Sequence, residues 1–407
     1  NGLQQIKNDH GASAIGALVS PHSTVEELYL AGKLVRGVGS ENIDYRLRNA
    51  DFTVAQGVQW LGLPIAALSQ LQSALIVGSN LRKDHPLFAQ RIRQAAKAGC
   101  KVFSINERVY DWALPVNASV VAAGDWAQAL ADVAAAVAEA KGVAAPVAGQ
   151  VHDEAKAIAA ALLAGEQKAV LLGNAAAHHA QASALLAVAN WIADQTGASV
   201  GYLTEAANTV GAQWVKAQPA GNGLNAAQMI DGGLKAVILL NNEPEFDSAA
   251  GKAAIAGLNK AEMIVTLSPF KANMEFSDVL LPIAPFTETS GSFVNAEGRV
   301  QSFHAVVKPL ADTRPAWKVL RVLANLMGVH GVDYETSQDV LAAATNGATQ
   351  VPANVLNNTA KAVSAVAAGN VVAPVVASIY QLDSIVRRAT SLQLTADARQ
   401  VREGGAA

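Results

Sequence analysis

The chain has 407 residues and a formal net charge of -3, with 51% hydrophobic and only 15% charged residues. That length suits two or three domains at roughly 150 residues each, and the apolar share supplies a sizeable core, which excludes disorder over most of the length. The near-neutral charge balance gives no electrostatic footprint for a nucleic-acid partner, which would need a clustered basic face, and argues against one.

Short apolar runs rich in β-branched residues alternate with helical stretches. In chain order the pattern predicts a strand at Ala14–Val19, a helix at Thr24–Arg36, a strand at Ala74–Gly78 and a helix at Pro86–Ala98. Strands at Lys101–Ile105 and Ser119–Ala122 follow, then helices at Asp125–Ala140 and Asp153–Ala164. Next come a strand at Lys168–Leu172, a helix at Ala180–Gln195, a strand at Ala236–Leu240, a helix at Asp247–Leu258 and a strand at Glu262–Leu267. Strands separated by helices of this length imply βαβ units and a mainly parallel sheet. The strands are nearly continuous apolar runs, as expected when helices cover both sheet faces.

Local chemistry marks the helix ends. Ser23 and Thr24 stand at capping-box spacing from Glu26 and Glu27. Pro86 can occupy a first helical turn, where its missing N–H costs nothing, and Gly99 stops that helix. Between Pro315 and Gly328, apolar residues at 316, 319, 320, 323, 326 and 327 describe one buried helix face. The small-residue run Gly142–Gly149 reads as a linker and a domain transition. Beyond Gly328 further helical stretches are expected near Ser337–Ala344 and Ala360–Ala368. Residues from Ser378 onward, with Arg387, Arg388, Arg399 and Arg402, read as an arm that docks on something or as a loose tail.

Cys100 is the single cysteine, so neither an intramolecular disulfide nor a four-thiolate iron–sulfur cluster can form within this chain. The Ala-rich runs are interrupted by charges such as Asp125, Asp132, Glu139 and Lys141, which leaves no stretch of about 20 apolar residues for a membrane span. The start at Asn1-Gly2-Leu3, with no initiator Met or signal pattern, gives the expectation of a fragment or a processed chain.

The usual phosphate cradles are missing. Gly37-Val38-Gly39-Ser40-Glu41-Asn42 lacks the third glycine of a dinucleotide fingerprint, and no Walker lysine or nucleophile elbow occurs. The adjacent His178 and His179 project about 100° apart on a helix, which is unsuitable for sharing one metal and suits a solvated or core-edge pair. Three strand ends are followed at once by asparagine: Asn80, Asn174 and Asn242. An amide there can hydrogen-bond a base or ribose, or it can simply make a turn; spacing does not choose between the two. The densest polar segment, Phe286–Gln301, contains Thr289, Gly291 and Asn295 and could line a cleft or tie a sheet edge to the body.

That segment carries a resemblance. Glu288-Thr289-Ser290-Gly291-Ser292-Phe293-Val294-Asn295-Ala296-Glu297-Gly298-Arg299-Val300-Gln301, followed by Arg314-Pro315-Ala316-Trp317-Lys318-Val319-Leu320-Arg321, resembles the molybdopterin-oxidoreductase superfamily. Within it the chain is most similar to the C-terminal part of the largest peripheral-arm subunit, the G subunit, of NADH-quinone oxidoreductase (respiratory complex I). The stretches Leu75–Asn106 and His22–Phe52 agree, as does Ser378–Arg399 at the end.

The resemblance implies two doubly wound, mainly parallel α/β domains, one inserted in the other, plus a helical C-terminal tail. By it, residues 1–52 and 146–332 form one domain, 53–145 the inserted one, and 333–407 a helical segment and C-terminal arm. It implies [4Fe-4S] and [2Fe-2S] clusters in a region upstream, no cofactor or metal on this chain, and no catalytic residue. Electrons would pass from NADH to quinone through those clusters. Partners would be other peripheral-arm subunits, on the cytoplasmic side of a bacterial inner membrane, with no nucleic acid and no direct span. Molybdenum-containing relatives place a metal ligand after an Asn-x-Asp-x-x-x-Arg pattern that reads here Asn42-Ile43-Asp44-Tyr45-Arg46-Leu47-Arg48; its spacing puts the lost ligand at Ala50, with Asp51 one residue away. Asn80, Asn174, Asn242, Thr289, Gly291 and Asn295 are then candidates for a vestigial groove. The rival readings are a fragment of an active molybdopterin oxidoreductase of formate dehydrogenase or nitrate reductase type, and a nucleotide-binding regulatory module.

Overall fold

A computed structural model describes residues 1–53, 56–360 and 372–402. Among these residues are twelve strands: β1 (Ile15–Val19), β2 (Ile43–Asp44), β3 (Ser73–Val77), β4 (Lys101–Asn106), β5 (Asn117–Val120), β6 (Lys168–Leu172), β7 (Ser199–Tyr202), β8 (Ala236–Leu240), β9 (Met263–Ser268), β10 (Val279–Pro282), β11 (Gly291–Val294) and β12 (Val300–Phe303). They form a five-stranded sheet of order β10-β9-β8-β1-β2, a second of order β5-β4-β3-β6-β7, and the β11–β12 hairpin. Every pairing within the two large sheets is parallel, so the expected α/β class holds.

The chain divides into two compact units. One comprises residues 1–48, 206–352 and 377–407; the other comprises 49–205 and 353–376. The second unit is inserted in the first, as expected, but its boundaries differ from those inferred from sequence. The inserted unit continues past 145 because β6 pairs with β3 in register Ser73↔Lys168 through Val77↔Leu172, and β7 pairs with β6. The Gly142–Gly149 run is therefore a loop between two helices of one unit, Trp126–Lys141 and Asp153–Leu163, and not a domain crossing. The described residues between 333 and 402 are not a separate body either: they are shared between the two units.

In the first unit, the helix Val25–Val38 leads from β1 to β2. Its start is a complete capping box: the Thr24 hydroxyl accepts the Glu27 N–H and the Glu27 carboxylate accepts the Thr24 N–H at 3.0 Å. In the second unit, Ala-rich helices Trp126–Lys141, Asp153–Leu163 and Ala182–Thr196 pack closely on the sheet around Trp126, Leu130 and Ile192. Small side chains allow backbones to approach, which is why so few aromatics suffice to fill this core.

Two helices differ from the sequence pattern. The stretch Asp247–Leu258 is helical only over Ala253–Leu258 beyond its first residue, because Gly251 adopts φ +56 and interrupts it. In Ala316–Leu326 the buried face is Ala316, Trp317, Leu320 and Ala324, whereas Leu326 is exposed. The helix expected near Ala360–Ala368 lies outside the described residues.

Candidate functional site

Ligands of doubly wound sheets bind outside the strand carboxyl ends, where the strand order reverses. Each unit has one such point: between β1 and β8 in the first, between β3 and β6 in the second.

In the second unit this point collects Asn80 and Asn174. The β3 and β6 ends are tied by Gly173 N–H to the Val77 carbonyl (2.8 Å) and Ala175 N–H to the Gly78 carbonyl (3.0 Å). Asn174 opens the helix Asn174–His178 and is buried, with its side-chain Oδ1 unpartnered. Asn80 stands before the short helix Leu81–Asp84, its N–H donating to the Asp84 carboxylate at 3.1 Å. Asn106, at the end of β4, accepts the Ser79 N–H at 3.0 Å and leaves its Nδ2 unpartnered.

Titratable groups missed in the sequence gather at these strand ends. Burial pushes the Asp84 carboxyl up to about 6, with the Glu205 charge adding to the rise. Burial pushes His85 down to about 4, and its Nε2 lies 2.7 Å from the Thr204 carbonyl, so that nitrogen carries the proton. His178 is buried, not solvated: Nε2 lies 3.2 Å from Glu205 Oε2 and Nδ1 3.1 Å from the Val375 carbonyl. His179 is fully buried, stacks on Trp126 at 5.7 Å, faces the Ala123 carbonyl with Nε2 at 2.9 Å and accepts the Gln181 N–H on Nδ1. Glu205 was invisible in the turns next to the histidines because it arrives from the end of β7, 27 residues on. Among the described residues no three His, Cys, Asp or Glu side chains converge to hold a metal ion.

Residue 50 presents only a methyl. The Ala50 N–H donates to the His178 carbonyl at 3.3 Å. The Asp51 carboxylate is occupied: it accepts the Ser183 N–H at 2.8 Å and the Thr53 N–H at 2.9 Å. Burial alone would raise its pKa, but those hydrogen bonds outweigh burial and hold the group below its ordinary value. The preceding polar pattern is structural in the first unit. Asn42 donates to the Ser13 carbonyl (2.7 Å) and accepts the Leu224 N–H (2.8 Å). The fully buried Asp44 takes both a two-pronged contact from Arg46 (2.9 and 3.0 Å) and the Ala226 N–H (3.0 Å).

At the other reversal point, Asn242 spans the ends of β1 and β8, donating to the carbonyls of Leu18 (2.7 Å) and Leu240 (3.1 Å). Behind it lie two buried carboxylates, Glu243 and Asp247. The arm docks here, within its own unit. Arg387 forks onto Asp247 at 2.8 and 3.0 Å and approaches Glu243 at 3.6 Å; Arg388 reaches Glu243 at 2.6 Å; Arg48 adds a contact to Asp247 at 3.2 Å. Burial opposes the Arg387 charge, yet Asp247 and Glu243 more than compensate and raise its pKa.

Thr289, Gly291 and Asn295 do not join that cluster. The segment 286–301 carries β11 and the turn of the hairpin, which is fastened to the helix Val25–Val38 by the Ser292 N–H on Glu26 at 3.0 Å and to Asn208 by the Val294 N–H at 2.9 Å. Gly291 is required by close approach, since a Cβ there would lie 2.5 Å from Thr24 Cγ2. The buried Thr289 bonds its neighbour's carbonyl, and Asn295 shapes the hairpin turn by accepting the N–H groups of Glu297 and Arg299. This segment ties the hairpin to the body.

Comparison with known proteins places these features in context. The molybdopterin oxidoreductase family profile matches residues 1–326. The G subunit of NADH-quinone oxidoreductase from Mycobacterium bovis is 28% identical over 375 residues, 81% of this chain and 43% of that protein. NADPH-Fe(3+) oxidoreductase subunit alpha of Geobacter sulfurreducens is 28% identical over 393 residues, 79% of this chain and 46% of that protein. The chain thus spans less than half the length of these curated relatives. In solved structures, a chain of the formyltransferase/hydrolase complex from Methylorubrum extorquens superposes with TM-score 0.56 at 18% identity, over 82% of this chain and 97% of that one, a likeness of fold.

Proposed function

This chain belongs to the molybdopterin oxidoreductase family, and from that membership we propose that it is the C-terminal scaffold portion of the G subunit of an NADH-quinone oxidoreductase, with no molybdenum cofactor of its own. In this role it braces the peripheral arm beside iron–sulfur clusters held upstream or in other subunits. Those clusters pass electrons from NADH toward quinone, and the surrounding partners are other peripheral-arm subunits on the cytoplasmic side of a bacterial inner membrane. A scaffold acts by holding centres at fixed separations, which asks for rigid packing and no reactive side chain. The relatives named as G subunits of that enzyme support the assignment.

The observation that carries the reading is the chemistry at residue 50. A methyl cannot ligate molybdenum, and the neighbouring Asp51 carboxylate already accepts two backbone N–H groups. The residues present do not fit the metal of this family. At the first unit's reversal point the guanidinium groups that could grip a pyrophosphate are taken by Glu243 and Asp247. Elemental analysis and oxidised-pterin fluorescence of the purified chain test the proposal: molybdenum and pterin at background level support it. About one of each per chain would support the rival reading of an active molybdopterin oxidoreductase.

One observation favours a second reading, a nucleotide-binding regulatory module. The unpartnered Oδ1 of Asn174 and Nδ2 of Asn106 are an acceptor and a donor buried at the strand ends of the second unit. A thermal-shift screen with guanine and adenine nucleotides decides it, since ligand binding to the folded state raises the melting temperature.

A further inference from the structure

We propose that the reversal-point crevice of the first unit is a guanidinium-binding site whose occupant is the chain's own segment Tyr380–Arg388. The three chain segments that leave β1, β8 and β9 there each meet that segment. After β1, His22 lies 3.9 Å from Asp383. After β8, Asp247 and Glu243 receive Arg387 and Arg388, and the Arg387 guanidinium lies over the Phe246 ring at 5.2 Å. After β9, the Arg388 guanidinium lies over the Phe270 ring at 4.6 Å.

The chemistry of the walls selects this class of ligand. Two carboxylates at one end and two aromatic faces beside them suit planar cations, which can both fork onto carboxylate and stack on a ring. The side chains of Arg387, Glu243 and Asp247 are 7%, 7% and 8% exposed, so the pairs are desolvated and matched. Without the arm, Glu243 and Asp247 would keep Arg48 as their cationic neighbour, an excess of negative charge that repels phosphate and attracts another guanidinium. The crevice where other doubly wound sheets take a ligand is closed here by an arginine clasp. This deepens the scaffold reading and rests on it only in holding that no anionic cofactor needs the crevice.

A protease site placed at 373–376 allows the folded full chain to be nicked, after which a labelled synthetic peptide of residues 378–402 competes for the crevice. The expected result is that the nicked arm co-elutes with the body at low salt and exchanges with the peptide. An Arg387→Ala, Arg388→Ala peptide should bind at least about 30-fold more weakly, the factor expected when a buried charge pair loses one partner. Millimolar inorganic pyrophosphate should not compete. Equal binding of the two peptides, or displacement of the arm by pyrophosphate, overturns the proposal. In the uncut chain, Glu243→Gln should speed amide exchange in residues 380–394 at least tenfold while β8 is unaffected; unchanged exchange in the arm overturns it as well. Peptide independence would remove the clasp and leave the scaffold reading standing, whereas a bound molybdenum beside a docked arm would do the reverse.

Discussion

Replacing Glu27 by glutamine tests how the first unit handles a buried acid at the start of its principal helix. Glu27 accepts the Thr24 N–H at 3.0 Å and the Asn241 side-chain amide at 3.3 Å while almost wholly buried. Burial, assisted by the neighbouring Glu26 charge, pushes its carboxyl from 4.5 up to about 7 against the opposing bond from Thr24. Between those values the folded state keeps a proton that the unfolded chain releases, so stability from this group is greatest below pH 4.5 and falls as pH rises to 7. At about 1.4 kcal/mol per pH unit the loss between pH 5 and pH 8 is roughly 2–3 kcal/mol. Glutamine keeps an acceptor for Thr24 and cannot ionise. Relative to the wild type, Glu27→Gln should therefore gain roughly 2–3 kcal/mol on going from pH 5 to pH 8. Urea titrations read by amide exchange in β1 and β8 measure it. Parallel pH profiles for the two proteins would refute the reasoning.

Gly201 in β7 lies so close to the chain at Leu61 that an added Cβ would sit 1.8 Å from the Leu61 carbonyl oxygen. Gly201→Ala should destabilise the second unit by about 3 kcal/mol, seen as a lower melting temperature by tryptophan emission; an unchanged transition would contradict that close approach. Burial pushes the Cys100 thiol up to about 11. Its alkylation at pH 8 should run about 100-fold slower in the folded chain than in urea, in proportion to the thiolate fraction; comparable rates would show an accessible thiolate.

Much of the fold was legible because fully buried parallel strands leave an unmistakable trace. Lys168–Leu172 and Ala236–Leu240 lie where the apolar runs put them, and Thr24 with Glu27 announced its helix. The missed strands are short or mixed: β2 has two residues, and β7 carries Gly201. The misplaced domain boundary has a clear cause. Gly142–Gly149 has linker composition, yet Gly149 packs so close to the helix Trp126–Lys141 that a Cβ would lie 2.4 Å from the Ala131 carbonyl, and the Gln150 N–H bonds Asp132. Small residues there serve close packing rather than freedom.

The site was less legible. The three strand-end asparagines stood out by position, but the contacts that build the sites around them join distant segments: Asn106 beside Ser79, Arg387 on Asp247, Glu205 on His178. An acid–arginine pairing across 140 residues has no local signature. Thr289, Gly291 and Asn295 stood in a polar segment that the resemblance made a groove candidate, but the hairpin uses the polar groups of that segment for its own turn and docking.

The central claim is that this family member keeps the α/β body without the groups that would hold molybdenum. The most direct measurement is molybdenum and pterin content per chain, taken on protein produced in cells that assemble the cofactor. The account predicts values indistinguishable from a cofactor-free control; one molybdenum and its pterin per chain would contradict it.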